Sequence, residues 1–376
     1  MAKYDIVIGS NFGDESKGTI VARIAKEHKD EKVLNVLTNG GSQRGHSVLT
    51  EKGQHVFKHF GSGTPFGAKT CFAESFILNP MQYIKEKQEI ESTFGVKLPR
   101  AARHPLCKWS TPFDMMVNQI ESQTNWTGTC GMGIWTTICR YNDPTFNNIT
   151  FSEFNTFEHE QKVMFLTNVR SYWEKSGKLE NKAFSLYKDA WYSQDLIEHF
   201  IKDCFEMFFD TSDSLWDYSP KGQYDHVIYE NGQGLLLSDN GIDDKEKTPS
   251  FTGMNIFKSM PTSSSWFRPT DDFNIHYVTR PYITRHGSNV FEDKKVDCNL
   301  NKSTEINQFN DWQHELKYSN LDIKNLKQRV YQDASTFDGT HVNNIILDVT
   351  HCDEFDRERE FRKMFHTCNF YDSAKV

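Results

Sequence analysis

The sequence predicts an α/β protein: a mostly parallel central β-sheet with helices on both faces. The first observation is a series of apolar, β-branched runs that read as buried strands, at Asp5–Ile8, Lys32–Leu37, His226–Tyr229, Ile275–Val278 and Asn344–Asp348. The second is helical spacing between them, at Gly18–Lys26, Asn79–Glu91, Ser185–Phe209 and Ile323–Gln332. Strands alternating with helices imply a parallel sheet covered on both sides. The third is that loops rich in glycine and polar residues follow the strands, which is where an open α/β sheet binds its ligand.

The first strand, Ile6-Val7-Ile8, runs into Gly9-Ser10-Asn11-Phe12-Gly13-Asp14-Glu15-Ser16-Lys17-Gly18 and then the helical start Thr19–Ile24. Strand, glycine-rich turn and helix start form a phosphate cradle, because backbone N–H groups and the helix dipole favour an anion. Asp14 and Lys17 lie inside this turn, a pairing that points to chemistry on a phosphorylated substrate. The lysine is followed by Gly18, so the turn is not a P-loop of the usual spacing.

The second strand leads into Asn39-Gly40-Gly41-Ser42-Gln43-Arg44-Gly45-His46-Ser47. A histidine in such a loop can donate a proton to a phosphate or carbonyl oxygen, although a lone histidine is more often structural. His59-Phe60-Gly61-Ser62-Gly63-Thr64 lets a backbone approach a ligand, or else forms a simple hairpin turn. Thr127-Gly128-Thr129-Cys130-Gly131-Met132-Gly133 offers hydroxyl and thiol groups between glycines. Glu230–Gly234, Thr284–Gly287 and Thr350–Asp353 complete the series. Each is weak alone; together they imply a crevice for more than one polar ligand.

Composition narrows the class. A net charge of −8 and no long basic stripe argue against a nucleic-acid polymer as partner. No apolar run is long enough to span a bilayer and no signal peptide is recognisable, so a cytoplasmic protein without a membrane partner is expected. Eight scattered cysteines without a CxxC pair indicate neither a disulfide framework nor a cysteine zinc site. Residues 140–220 are polar and aromatic and read as a helical excursion within one domain covering 1–376.

The order of the loops resembles the adenylosuccinate synthetase family. Gly13–Gly18 resembles its G-D-E-G-K-G signature, and Gly40-Gly41 with Gly45-His46-Ser47 its G-G-x-x-x-G-H-T loop. Gly61-Ser62-Gly63 is similar to P-S-G, Gly128–Gly131 to G-T-T-G, Glu230–Gly234 to E-G-A-Q-G, Thr284–Gly287 to T-R-V-G, and Thr350–Asp353 to T-K-x-D. His55–Thr64, Phe76–Pro80, Tyr282–Gly287 and the stretch from Trp312 to Tyr318 are similar to a phage-type branch. That branch makes 2-aminoadenine (diaminopurine) nucleotides, acting on dGMP in place of IMP with ATP or dATP as donor.

The resemblance implies a ligase that joins L-aspartate to a purine nucleoside monophosphate through a 6-phosphoryl intermediate, with Mg²⁺ as cofactor, in a homodimer. Asp14 would be base and metal ligand, His46 the donor to the 6-oxygen, and Lys17 the phosphate counter-charge; the Gly45 carbonyl would be a second metal ligand. Ser16, Gln43, Thr129, Cys130, Arg140, Gln233 and Thr248 match substrate-nucleotide positions, with Arg140 where the family reaches across a dimer interface. Gly13, Glu15, Gly18, Thr19, Gly45, Ser47, Thr350, His351 and Asp353 match donor-nucleotide positions.

Two departures stand out. The family's arginine-rich aspartate loop is not recognisable in Asn310–Lys317, which leaves Arg285 and Lys317 as the cations for aspartate. His351 replaces the lysine of T-K-x-D, which weakens the expectation of GTP as donor. An IMP-specific synthetase using GTP or ATP, and a nucleotide-binding regulatory protein without ligation, are the alternatives.

Overall fold

The computed structural model describes residues 3–124, 129–213, 223–237, 251–256, 272–286, 296, 316–336, 342–373 and 376. The strands are β1 (Lys3–Gly9), β2 (Val33–Leu37), β3 (His46–Thr50), β4 (Gly53–Phe57), β5 (Lys69–Phe72), β6 (Ala101–Arg103), β7 (Thr211–Asp213), β8 (His226–Gly234), β9 (Asp272–Thr279), β10 (Tyr282–Arg285), β11 (Lys317–Asn320), β12 (Val342–Val349) and β13 (Cys368–Phe370). Nine of them form one sheet in the order β13-β12-β9-β1-β8-β2-β5-β6-β7. Every pairing in it is parallel, so all its loops of interest leave one edge. The pairs β3/β4 and β10/β11 are antiparallel ribbons.

The helices are α1 (Lys17–Glu27), α2 (Pro80–Phe94), α3 (Pro112–Thr124), α4 (Ile134–Asn142), α5 (Phe151–Thr156), α6 (His159–Lys175), α7 (Lys188–Trp191), α8 (Gln194–Asp210), α9 (Ile323–Ala334) and α10 (Glu358–Met364). The period-2 alternation of β1 divides the core. Tyr4, Ile6 and Ile8 pack with Leu326 and Val330 of α9 and Phe361 of α10 on one face. Val7 packs with Ile20, Val21, Ile24 and Ala25 of α1 on the other. Each such aliphatic side chain contributes about 1.5–3 kcal/mol by burial. Between 134 and 210 a helical layer builds a further core around Trp109, Trp173 and Trp191. Among the described residues no helix is long and apolar enough to cross a membrane. The described cysteines are free thiols.

All five strands read from the sequence are present. The short strands β5, β6, β7 and β13 carry too few residues to show a period. The helix read over Ser185–Phe209 is broken: a 3-10 turn covers Lys182–Leu186, α7 ends at Trp191, and α8 restarts after Ser193. The Ser193 hydroxyl accepts the Leu196 N–H at 3.2 Å, so the restart is a side-chain cap.

A polar layer lies under α1. His276 of β9 bridges Asp348 (2.7 Å) and Asp5 (2.9 Å), and Asp5 also accepts from His226. Burial opposes charge on His276, but Asp348 and Asp5 outweigh it and push its pKa up to about 10.

Gly234 ends β8 where the first loop crosses it. A Cβ there would lie 2.2 Å from the Asn11 carbonyl oxygen and 2.6 Å from the Gly13 nitrogen, both backbone atoms. Gly234→Ala is expected to destabilise the fold by about 1–3 kcal/mol or more, as overpacking against an immobile neighbour does. A lowered urea midpoint measures this; an unchanged midpoint would mean that the loop does not cross β8 so closely.

Candidate active site

The loops that leave the sheet's carboxyl edge are tied to one another. The Asn11 side chain donates to the Thr279 hydroxyl (3.1 Å), and the Arg329 guanidinium of α9 donates to the Ser10 carbonyl (2.7 Å) and the Asn11 side-chain oxygen (2.5 Å). Thr284 donates to the Asp14 carbonyl (3.2 Å) and Thr350 to the Glu15 carbonyl (3.1 Å). The Asn39 side chain accepts from Gly232 N–H at 2.8 Å. Ile134, the first residue of α4, packs so closely on Gly41 that a Cβ there would meet it at 2.7 Å. Segments starting at 9, 38, 129, 230, 280 and 350 therefore share one crevice.

In the first loop the Asp14 carboxylate is partly exposed, with Oδ2 3.3 Å from Nδ1 of His286. Burial raises its pKa, but His286, Arg280 and Lys17 outweigh burial and hold the carboxyl below the usual range. A deprotonated Asp14 can accept a proton or hold a cation. Glu15 points the other way. Its Oε1 accepts the N–H groups of Asn11 (3.1 Å) and Gly13 (2.9 Å), and its Oε2 is 3.9 Å from Lys17 Nζ. Lys17 donates to the Gly13 carbonyl at 2.7 Å. Both are buried, and burial raises the Glu15 pKa and lowers that of Lys17. The Glu15 side chain, expected against the donor nucleotide, braces the loop from within. Gly18 and Thr19 are buried too, Gly18 so close to His46 that a Cβ would sit 3.0 Å from the histidine's own. Ser16 holds the left-handed conformation at φ 68° that turns the chain into α1.

His46 opens β3. Its Nδ1 is 2.5 Å from Oε1 of Glu230, the residue at which β8 reaches the crevice. Arg44 Nη2 also lies 2.8 Å from Nδ1 but donates to Glu230; the carboxylate only accepts, so the shorter His46–Glu230 contact is met with the proton on Nδ1. Nε2 is buried with no hydrogen-bond partner. Glu230 is itself fixed by Arg44 Nη2 (2.7 Å), the Ser62 hydroxyl (2.6 Å), Ser62 N–H (3.0 Å) and Asn35 (3.0 Å). Burial raises its pKa, but Arg44 and His46 outweigh that and hold it well below the carboxylate range. Burial pushes His46 down to about 4, assisted by Arg44. The resting ring is neutral, and a bound anion at Nε2 would favour its charged, donating form.

The loop Gly61-Ser62-Gly63 serves this arrangement. It is not a hairpin, since it joins β4 to β5, and it packs on β2, where a Cβ on Gly61 would lie 2.2 Å from the Asn35 side chain. Nearby His59 is fully buried, and burial pushes it to about 3. His46 and His59 set a pH dependence. Unfolded, both rings take up a proton near 6.5; folded, only near 4 and 3. The unfolded state binds more protons in between, so the contribution of these two rings is full above about pH 6.5 and falls as pH drops. His46 alone accounts for on the order of 3 kcal/mol. The urea midpoint is expected to fall between pH 7 and 5, and to fall less in His59→Asn. A flat profile would contradict burial of neutral rings.

The remaining expected residues divide. Gln43 and Ser47 flank His46 and carry buried side-chain oxygens without hydrogen-bond partners, Oε1 and Oγ. Gly45 is exposed beside them. The Thr129 hydroxyl donates to the Asn118 side chain at 3.2 Å, and burial pushes the Cys130 thiol up to about 11. Gln233 is half-buried near the end of β8. His351 is buried at φ 59°, with burial and Arg280 lowering its pKa. Asp353 is exposed and accepts Ser373 N–H (2.6 Å) and hydroxyl (2.7 Å). Arg285 stacks on the Phe12 ring of the first loop at 4.5 Å and faces Lys317 directly across the β10/β11 ribbon. Thr248, Thr127, Gly128, Gly287 and residues 310–315 lie outside the described residues.

Arg140, expected where the family reaches across a dimer interface, is enclosed by its own chain here. Its guanidinium is fully buried, paired through Nε and Nη2 with the two Asp114 oxygens at 2.9 Å each. Asn148 (2.5 Å) and the Trp109 carbonyl (3.1 Å) take further donors. Glu230, Arg44 and His286 were missed as site residues although each lies in a loop singled out. The usable signal was an acidic residue ending an apolar strand, with an arginine and a histidine two apart in another loop.

A parallel sheet with a phosphate-type first loop and polar loops gathered at its carboxyl edge defines a nucleotide-binding α/β protein. The chain belongs to the adenylosuccinate synthetase family, whose sequence profile matches residues 6–315. It is 25% identical over 307 residues to the adenylosuccinate synthetase of Bordetella petrii, covering 79% of this chain and 66% of that one. It is 26% identical over 311 residues to that of Teredinibacter turnerae, covering 80% and 67%. The match thus spans about two thirds of the length of these relatives. Two solved structures share the fold. Fully ligated adenylosuccinate synthetase from Plasmodium falciparum has a TM-score of 0.67 at 14% identity, over 94% of this chain and 77% of that one. The cyanophage S-2L succinoaminodeoxyadenylate synthetase (PurZ), bound to dGMP and dATP, has a TM-score of 0.63 at 9% identity, over 99% and 92%.

Proposed function

We propose that this protein is a ligase joining L-aspartate to a 6-oxopurine nucleoside monophosphate, with dGMP or GMP preferred to IMP and ATP or dATP as donor. The donor's γ-phosphoryl group passes to the purine 6-oxygen as Asp14 accepts the N1 proton. The aspartate amine then attacks C6 and phosphate leaves, giving N6-succinyl-2-amino-(deoxy)adenylate. The observation that carries the reading is the His46–Glu230 pair packed against Gly18 at the end of the first loop, with Nε2 buried and unpartnered, while Asp14 of that loop is held deprotonated. Once the bound phosphoryl group draws a proton onto the ring, Nε2 becomes a donor held in place by Glu230, and a positioned donor to developing oxyanion charge stabilises a transition state by about 3–4 kcal/mol.

Asp14 and the carbonyl of exposed Gly45 offer hard oxygens of the kind Mg²⁺ takes, and Asp14 is held in the charged form that fits it. Bound there, Mg²⁺ would offset the charge on the transferring phosphoryl group. Arg285 and Lys317 support the aspartate site. Like charges directly across a ribbon repel, and a dicarboxylate between them relieves that. Preference for a 2-aminopurine rests on the phage-type sequence details. The near full-length cover of the cyanophage structure, which is bound to dGMP and dATP, also supports it. The homodimer, with Arg140 at its interface, stays an expectation of the family. A panel of dGMP, GMP and IMP with ATP, Mg²⁺ and aspartate, read by mass spectrometry, is expected to give the succinyl adduct fastest from a guanine nucleotide. Faster conversion of IMP would select the alternative substrate.

A further inference from the structure

At the amino-terminal edge of the sheet, opposite the crevice, His28, Glu31 and His226 converge, with their ligand-type atoms all within 4.8 Å of one another. His226, the first residue of β8, is 1% exposed. Its Nε2 bonds the Asp5 carboxylate, and its Nδ1 is buried with no hydrogen-bond partner. In the neutral ring the proton therefore sits on Nε2, and Nδ1 presents its lone pair. A carboxylate on the far nitrogen is the arrangement that orients a metal-binding histidine and raises its basicity.

Nδ1 of His28, which caps the end of α1, lies 3.1 Å from Glu31 Oε1. The His28 and His226 rings are in contact, with centroids 3.9 Å apart. The backbone fixes this meeting. Glu31 N–H bonds the His28 carbonyl (2.9 Å), and Lys32 exchanges bonds with Asp225 (3.0 Å each) next to His226.

We propose that His28, Glu31 and His226 form a site for a borderline-soft divalent cation such as Zn²⁺, with solvent completing the coordination. Two imidazoles and one carboxylate suit Zn²⁺, whereas Mg²⁺ prefers oxygen ligands. Ligand atoms on a tetrahedral zinc with bonds of roughly 2.0–2.1 Å lie about 3.3–3.4 Å apart. The His28–Glu31 pair, at 3.1 Å, is already close to this. Exposed Glu31 and half-buried His28 can close on His226, which Asp5 holds still. The bound ion would clip the end of α1 to the start of β8, the elements that also carry Lys17 and Glu230.

The test is zinc and cobalt titration of the full chain, stripped with chelator, in excess Mg²⁺. The unmodified protein is expected to bind one Zn²⁺ and gain thermal stability. His28→Ala and Glu31→Gln are each expected to bind it at least tenfold more weakly and lose that gain, with unchanged circular dichroism. The cobalt spectrum should lack a thiolate charge-transfer band. No bound ion, equal affinity in both variants, or a thiolate band would overturn the site.

Discussion

Asp14→Asn is expected to abolish ligation while nucleotides still bind. The asparagine is nearly isosteric and keeps an oxygen near His286, so the first loop retains its ties through Thr284 and Glu15. What it loses is negative charge and basicity, the two properties that proton removal from N1 and cation binding need. Loss of a positioned base costs about 10²–10⁴ in rate, or roughly 3–5 kcal/mol of activation free energy. The measurement is turnover together with calorimetric nucleotide affinity. Turnover within tenfold of the unmodified protein would remove Asp14 from the reaction. Lost binding with lost turnover would make it a nucleotide-holding residue instead.

His46→Ala and Glu230→Gln form the second pair. His46→Ala is expected to lower kcat by about 10²–10³, as removal of one oxyanion donor does. Glu230→Gln acts on the same ring from behind, because Glu230 fixes which nitrogen faces the crevice. It has a second effect that His46→Ala lacks. Arg44 is buried with Nη2 on Glu230, and neutralising its partner costs about 3–5 kcal/mol of stability. Glu230→Gln should thus lower both kcat and the urea midpoint. The double variant should be no slower than His46→Ala alone, since residues acting as a unit are not additive. Additive rate losses would mean that Glu230 serves the reaction independently of His46.

Much of the fold was legible because the parallel sheet buries both faces of its strands, and that leaves continuous apolar runs such as Ile6-Val7-Ile8. The crevice was legible for a related reason: a βα connection places its loop at the carboxyl edge, so strand-following glycine loops had to meet there. Side-chain direction was not legible. Asp14 and Glu15 are adjacent carboxylates in one turn, yet one faces the crevice and the other fills the loop's own amide groups. Arg140 matched a family position, but pairing with Asp114 depends on how α3 packs against α4. The Glu230 anchor joins residues 184 apart, a contact no local pattern encodes.

The central claim is that the purine 6-oxygen is phosphorylated before the aspartate amine displaces it. The direct measurement uses guanine nucleotide labelled with oxygen-18 at the 6-position, incubated with the protein, ATP, Mg²⁺ and aspartate. One labelled oxygen is expected in each inorganic phosphate released, matched one for one by succinyl adduct. Adduct formed with unlabelled phosphate, or ATP hydrolysed without adduct, would contradict it.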